Sequence, residues 1–234
     1  MADKNYAYIT GANRGIGLAL VREFARNGWG VFAGSRHPES EELAALEREA
    51  TVTPLSLDVT DTSSVSDAAE AIRSKTDHLD LVINNAGYFP GERDDPFESL
   101  DAADLLTGLD VNVAGVIRVT QSVLSLLEKS ETPRVVNISS GAASVTTKLD
   151  GEMALYSTTK AALNMLTRAM AGDLGHNRII VTALSPGWVR TEMGGPNAKI
   201  TPEESAASLF KTSTTLTMED TGHFMGRNRE SYPW

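Results

Sequence analysis

The sequence predicts an α/β fold: a doubly wound parallel sheet of about seven strands with helices on both faces. Three observations carry this. Short apolar runs alternate with helical stretches along the chain. The apolar runs show little in–out alternation, as expected for strands covered on both faces. No internal repeat, low-complexity tract or linker divides the chain, so its 234 residues read as a single domain, 1–234.

The elements follow in order. Tyr6–Thr10 is a short apolar run ending in a glycine-rich turn, and Gly15 to Asn27 is helical, with Ile16, Leu20 and Phe24 on one face. Gly28 and Gly30 punctuate its end. Trp29–Ser35 reads as the second strand, Glu39–Glu49 as an acidic helix, Val52–Leu57 as the third strand, and Thr60–Lys75 as a helix capped by Thr60 or Asp61. Leu79–Ile83 is the fourth strand, followed by a polar loop over Tyr88–Pro96 in which Glu92-Arg93-Asp94-Asp95 reads as solvated. One long helical region, Leu100–Lys129, precedes the fifth strand, Val135–Ile138. Ala154–Leu174 is helical and Ile179–Leu184 is the sixth strand.

Composition excludes several classes of function. Lys plus Arg number 21 against 31 Asp plus Glu, a net charge of −10, which repels phosphate backbones and argues against nucleic acid as a partner. With no cysteine there is no disulfide, thiolate metal site or cysteine nucleophile. His37, His78, His176 and His223 show no metal-ligand spacing, so no metal is expected. Met1–Tyr8 lacks the basic and apolar regions of a leader, and no stretch approaches the ~20 apolar residues that cross a bilayer. The expected location is the cytoplasm, with no membrane partner.

Thr10-Gly11-Ala12-Asn13-Arg14-Gly15-Ile16-Gly17 lies where the first strand turns into the first helix. Glycines there let the backbone approach a pyrophosphate, and the helix start adds unpaired N–H groups and a positive dipole end. Its glycine spacing differs from G-x-G-x-x-G, and by itself it is turn chemistry. Its position after the first strand points to a dinucleotide. Tyr156 and Lys160 are four apart on one helix face. An ammonium near a phenol favours phenolate and lowers its pKa, giving a proton donor and acceptor near neutral pH. Alone, such a pair usually marks no more than an amphipathic surface. Ser139 and Ser140 end the fifth strand, Asn84-Asn85-Ala86-Gly87 ends the fourth, and both lie at the sheet edge where open α/β folds bind ligands. Asn112 lies inside a helix, where a buried amide bonding to backbone is the ordinary alternative to a functional role.

Taken together, Thr10–Gly17, Asn84–Gly87, Asn112, Ser140, Tyr156 with Lys160, and Pro186-Gly187-Trp188-Val189-Arg190-Thr191 resemble, in order and over nearly the whole chain, the successive signatures of the short-chain dehydrogenase/reductase family. Within it the chain is similar to the small carbonyl reductases and C-factor-like proteins. The resemblance implies a Rossmann fold and a hydride transfer between nicotinamide and a carbonyl or alcohol. It implies that Tyr156 is the acid in reduction and the base in oxidation, and that Lys160 lowers its pKa and holds the nicotinamide ribose. It implies that Ser140 bonds the substrate oxygen, and that Asn112 holds a water or backbone carbonyl continuing the proton path. Gly11, Asn13, Arg14, Gly15, Ile16 and Gly17 would cradle the pyrophosphate. Asn85, Ala86 and Gly87 would border the cofactor's centre, Asp58 and Val59 the adenine, and Pro186, Gly187, Val189 and Thr191 the nicotinamide. Ser140 is preferred over Ser139 because the family motif ends in the active serine. The Ser140–Tyr156 separation exceeds the family's usual spacing, with the extra residues in the polar loop Ser144–Glu152. The two helical regions Leu100–Lys129 and Ala154–Leu174 are those the family packs across a two-fold axis, implying a homodimer or homotetramer.

NAD(H) enzymes of this kind place an acid at the end of the second strand. Here Gly34-Ser35-Arg36 stands there, and Arg36 with Arg14 would pair a 2′-phosphate, which predicts NADP(H). Tyr88, Phe89, Val145–Leu149 and Trp188 to Met193 are candidate walls for a partly apolar substrate. Three activities fit: a carbonyl reductase, an NADP(H)-binding sensor with little turnover, and a tailoring reductase in a biosynthetic pathway.

Overall fold

A computed structural model describes residues 4–48 and 51–234. Its sheet has seven parallel strands in the order β3-β2-β1-β4-β5-β6-β7. The elements are β1 (Tyr6–Thr10), α1 (Gly15–Arg26), β2 (Gly30–Ser35), α2 (Glu41–Glu47), β3 (Val52–Ser56), α3 (Thr62–Arg73) and β4 (Leu81–Asn84). They continue with α4 (Ala102–Leu109), α5 (Gly115–Leu127), β5 (Arg134–Ile138), α6 (Ala154–Leu174), β6 (Ile180–Ser185), α7 (Pro202–Thr214) and β7 (Phe224–Gly226). The chain winds outward from β1 to β3, then returns to pair β4 on the other side of β1. That reversal opens a crevice beyond the carboxyl ends of β1 and β4, where such sheets take ligands.

Successive strand residues supply opposite faces. Ile9, Ala33, Ile83, Val136 and Leu184 join Leu20 and Phe24 of α1, Leu43 of α2 and Leu209 of α7 in one apolar layer. Tyr8, Phe32, Val82, Val135 and Val181 join Val65 and Ile72 of α3, Val123 of α5 and Ala171 of α6 in the other. Buried polar groups tie the second layer across the sheet. Asn84 Nδ2 donates to Asn137 Oδ1 at 2.9 Å and to Thr120 Oγ1 at 3.2 Å, and Asn137 Nδ2 donates to Thr167 Oγ1 at 2.9 Å. Each unmade bond of this kind would cost about 1–3 kcal/mol in the interior, so the set fixes how α5 and α6 lie on β4 and β5.

Several boundaries differ from expectation. The acidic helix spans Glu41–Glu47, and Glu49 lies outside the described residues, as do Met1–Asp3. The fourth strand starts at Leu81 and runs to Asn84, because Leu79 and Asp80 lead in from a turn. Asp61, not Thr60, caps α3 by accepting from Ser63 N. The long region Leu100–Lys129 is not one α-helix: a π-helical turn, Asp110–Ala114, separates α4 from α5. Sequence reasoning misses helix α7 and strand β7. The α7 signal is present in Thr201-Pro202-Glu203-Glu204, which forms a capping box with Pro in the first turn. Strand β7 is three residues long, too short for periodicity to register.

Candidate active site

The crevice floor is made by backbone approaching backbone. Gly11 and Gly15 have φ of 67° and 55°, conformations that L side chains rarely adopt. A Cβ on Gly17 would fall 2.1 Å from Gly11 O, and one on Gly11 would fall 2.8 Å from Ala86 Cα. The loop is sewn to the end of β4: Asn85 Nδ2 donates to Thr10 O at 2.9 Å, and Thr10 Oγ1 accepts from Ala86 N at 3.0 Å. Arg14 precedes α1 without any side-chain cap, so Asn13, Gly15, Ile16 and Gly17 surround an open helix start. Arg14 is exposed and ion-paired with Glu192.

On the adenine side, Ser35 is buried and its hydroxyl accepts from His37 N at 3.0 Å, leaving Arg36 exposed at the end of β2. The Asp58 carboxylate is turned onto Thr60, accepting from its N–H at 2.9 Å and its hydroxyl at 2.7 Å. These bonds hold it below the usual carboxylate range, against a small opposing effect of burial. Val59 packs on Gly115, where a Cβ would come within 2.9 Å of it.

At the end of β5 the two serines part. Ser139 is buried and its hydroxyl donates to Asn164 Oδ1 at 2.7 Å. Ser140 caps the short turn Gly141–Ala143, accepting from Ala142 N at 3.2 Å, and its hydroxyl lies near enough to Tyr156 to pull the phenol's titration downward. The structure therefore brings Ser140 to the tyrosine. Lys160 is buried and donates to Ile138 O at 2.9 Å; its Nζ lies 5.8 Å from the centre of the Tyr156 ring. Among the described residues it is the only buried lysine or arginine.

The expectation that Lys160 depresses the tyrosine is corrected here. Burial pushes the Tyr156 phenol up to about 12, although the Ser140 hydroxyl and the Arg93 charge pull the other way. Burial pulls Lys160 down to about 8. Taking both groups out of water penalises the charged form of each, and for Tyr156 this burial outweighs the effects that favour phenolate.

Asn112 sits in the π-helical turn, a feature frequent at functional sites. Its amide clasps the main chain of one residue: Oδ1 accepts from Tyr88 N at 2.9 Å and Nδ2 donates to Tyr88 O at 2.8 Å, with a second donation to Thr159 Oγ1 at 2.9 Å. Gly87 lies between the two groups, since a Cβ there would be 3.5 Å from Asn112 Oδ1 and 3.8 Å from Lys160 Nζ. The clasp delivers Phe89 onto Tyr156 with ring centres 4.7 Å apart and planes 23° from parallel.

Arg93 is not merely solvated. Its guanidinium lies 6.0 Å from the Phe89 ring centre and donates to Met153 Sδ, while its carbonyl accepts from Met153 N at 2.7 Å. Met153, at φ 52°, is the left-handed residue from which α6 starts. Arg93, Met153 and Thr159 thus support the site without any signal in the sequence, because their partners lie tens of residues away.

Beyond β6, Pro186 O accepts from Ser205 Oγ at 2.8 Å, and Gly187, at φ 84°, leaves no room for a side chain beside Ile200. Val189 bridges to Ile200, and Thr191 lies against Gly15. Trp188 Nε1 donates to Gly194 O at 2.8 Å, with the Trp188 and Met193 side chains partly exposed.

The family model for short chain dehydrogenases matches residues 5–201. The chain belongs to the short-chain dehydrogenase family. It is an oxidoreductase, and the seven-stranded sheet is the Rossmann-like α/β fold of short-chain dehydrogenase structures. It is 33% identical over 159 residues to the C-signal protein of Myxococcus xanthus, covering 68% of this chain and 95% of that one. The NADPH-bound carbonyl reductase from chicken fatty liver is 31% identical over 99% of both chains, with a TM-score of 0.89. The carbonyl reductase Sniffer of D. melanogaster is 28% identical, covers 99% of this chain and 100% of its own, and has a TM-score of 0.94.

Proposed function

We propose that this short-chain dehydrogenase is an NADP(H)-dependent carbonyl reductase acting on a small carbonyl or alcohol. The observation that carries the reading is the convergence of Ser140 and Tyr156 beside buried Lys160, at the edge of the crevice floored by the glycine loop. A sensor that only binds a nucleotide has no use for two hydroxyls and a buried ammonium converging there. A dinucleotide fits the crevice: the side-chain-free floor and the uncapped start of α1 suit a pyrophosphate. Arg36, and Arg14 once it leaves Glu192, suit a 2′-phosphate.

The nicotinamide, when bound, supplies the hydride. The chain's own residues orient and polarise. Ser140 Oγ donates to the substrate oxygen as charge develops on it. Tyr156, held protonated across the neutral range, enters reduction as the proton donor at Oη. Lys160, close to 8, exchanges protons near neutrality and has donors left over from its bond to Ile138 for the ribose hydroxyls. Asn112 fixes the main chain at Tyr88, and through it the Phe89 ring packed on Tyr156. Pro186, Gly187, Val189 and Thr191 border the nicotinamide side; Asp58 and Val59 border the adenine side. Tyr88, Phe89, Trp188 and Met193 form the substrate walls.

The proposal includes one dinucleotide-binding and catalytic domain over 1–234 and a cytoplasmic location; among the described residues no helix is long and apolar enough to cross a membrane. It also includes a homodimer or homotetramer, supported by exposed Leu106, Ile117 and Met165 on α4, α5 and α6. The test is NADPH oxidation against a panel of ketones and aldehydes. Turnover is expected with kcat/KM about tenfold or more above that with NADH, and Arg36→Asp narrows or inverts the preference. Tyr156→Phe abolishes turnover and leaves NADPH affinity within about twofold. Near-wild-type activity of Tyr156→Phe overturns the mechanism and moves the sensor reading to the front.

A further inference from the structure

The stretch after Ser140 has a feature the mechanism above does not use. Ser231–Trp234 folds back over it. Ser231 bridges antiparallel to Met225, and Tyr232 N donates to Phe224 O at 3.0 Å. The Tyr232 and Trp234 rings pack on Phe224 at 5.2 and 5.7 Å between centres, and both join Ala143 and Ala183 in a small apolar cluster of their own. The Arg168 guanidinium, on α6, lies 5.4 Å from the Trp234 ring centre. The Trp234 carbonyl accepts from Thr146 N at 2.8 Å, from the Thr146 hydroxyl, and from Ser144 Oγ at 3.3 Å. Ser144 in turn is bound to the serine's own turn, its N–H donating to Gly141 O at 3.2 Å.

These contacts converge on Ser144 and Thr146, in the polar loop between Ser140 and Tyr156. A fifteen-residue connection between the two has many conformations to lose, so its ends need holding. Its far end is held by the Met153–Arg93 bond at the start of α6. Its near end has the Trp234 carbonyl, kept in place by an indole wedged between β7 and α6.

We propose that Trp234 is a positioning residue for Ser140: it clamps residues 141–147 so that the Ser140 hydroxyl stays on Tyr156. The proposal rests on the carbonyl reductase reading. Trp234 touches neither reacting atoms nor the glycine loop. Its loss acts on the chemical step and on carbonyl binding while cofactor affinity is spared.

The experiment compares Trp234→Ala and Trp234→Phe with wild type in steady-state carbonyl reduction, in NADPH affinity by fluorescence titration, and in amide hydrogen exchange. In wild type, the Thr146 amide is expected to be protected. Trp234→Ala is expected to lower kcat about tenfold or more, as small misplacements of catalytic groups do. NADPH Kd stays within about twofold, and exchange across 141–147 speeds up while the Lys160 turn of α6 does not. Trp234→Phe, which keeps an aromatic wedge, recovers kcat to within about threefold of wild type. An unchanged kcat in Trp234→Ala overturns the proposal. So does a loss shared equally by NADPH affinity, which marks a merely structural role. An unprotected Thr146 amide in wild type overturns it without any variant, even if Trp234→Ala does not fold. If wild type turns over no carbonyl while Thr146 is protected, it is the reductase reading that fails, and the positioning role fails with it.

Discussion

At the β1–β4 end of the crevice, the chain leaves space out. Gly11 and Gly17 allow two loops to approach until no side chain fits between them, and almost nothing there depends on a long-range side-chain bond except Asn85 and Thr10. At the β5–α6 end the chain puts side chains in. Ser140, Tyr156 and Lys160 are held by groups from Tyr88, Asn112, Arg93, Met153 and Trp234, residues scattered over much of the sequence. The first end tolerates no added atom. The second has room on its exposed rim and depends on its supporting bonds. Steric exclusion and polar clamping are different ways of holding geometry, and they fail differently.

Gly17→Ala tests the first kind of failure and has the largest expected effect. Its Cβ would sit 2.1 Å from Gly11 O and 2.6 Å from Asn85 Nδ2, so the loop must move. Overpacking of this sort costs about 1–3 kcal/mol. NADPH affinity is expected to fall about a hundredfold or more because the pyrophosphate floor moves with it. A variant that binds NADPH like wild type would show that the loop yields easily and that the contrast drawn above is false.

Ser140→Ala tests the second kind. A lost donor to a developing oxyanion is expected to lower kcat about 10²-fold with cofactor affinity nearly unchanged. Ser139→Ala, which breaks a buried bond to Asn164, is expected to cost about 1–3 kcal/mol of stability and much less in kcat. The reverse ranking would mean that the long connection has shifted the serine register.

The smallest effect is a pH profile. Lys160 is depressed from its usual 10.5 to about 8, so its ammonium form dominates below that value and is lost as pH rises through it. Carbonyl reduction is expected to be level below about pH 8 and to fall about tenfold per unit above it. A plateau persisting to about pH 10 would show that burial does not act on Lys160 as described.

Much of the fold and of the glycine-floored end is legible in the amino-acid sequence. Strand–helix alternation specifies the sheet, because parallel strands buried on both faces must be nearly continuous apolar runs. The glycine loop is legible because its chemistry is local. Arg36 stands exposed just after β2, where the sequence puts it. Arg93 does not, since nothing in Glu92-Arg93-Asp94-Asp95 shows that Phe89 and Met153 will come to meet it. The direction of the Tyr156 shift is also hidden. Spacing of four residues says that two groups are neighbours, not how much water each loses, and here dehydration outweighs proximity. The break at Asp110–Ala114 leaves no compositional mark, because π-helical turns use the same residues as α-helix.

That break makes helix α4–α5 a phase-coded object. A π-helical turn holds one residue more than an α-helical turn, so residues on either side of 110–114 are offset by about 100° from what a straight α-helix would give. Gly108, just before the break, faces α6 closely enough that a Cβ would lie 2.9 Å from Thr159, while one on Gly115, just after it, would meet Val59 at the same distance. Deleting one codon within 110–114 would barely alter composition, yet it would rotate every side chain of α4 against α5 at once. The same deletion in 144–152 would only shorten a tether. For this chain the severity of an indel is therefore set by whether the helix is keeping count at that point, not by how many residues are lost.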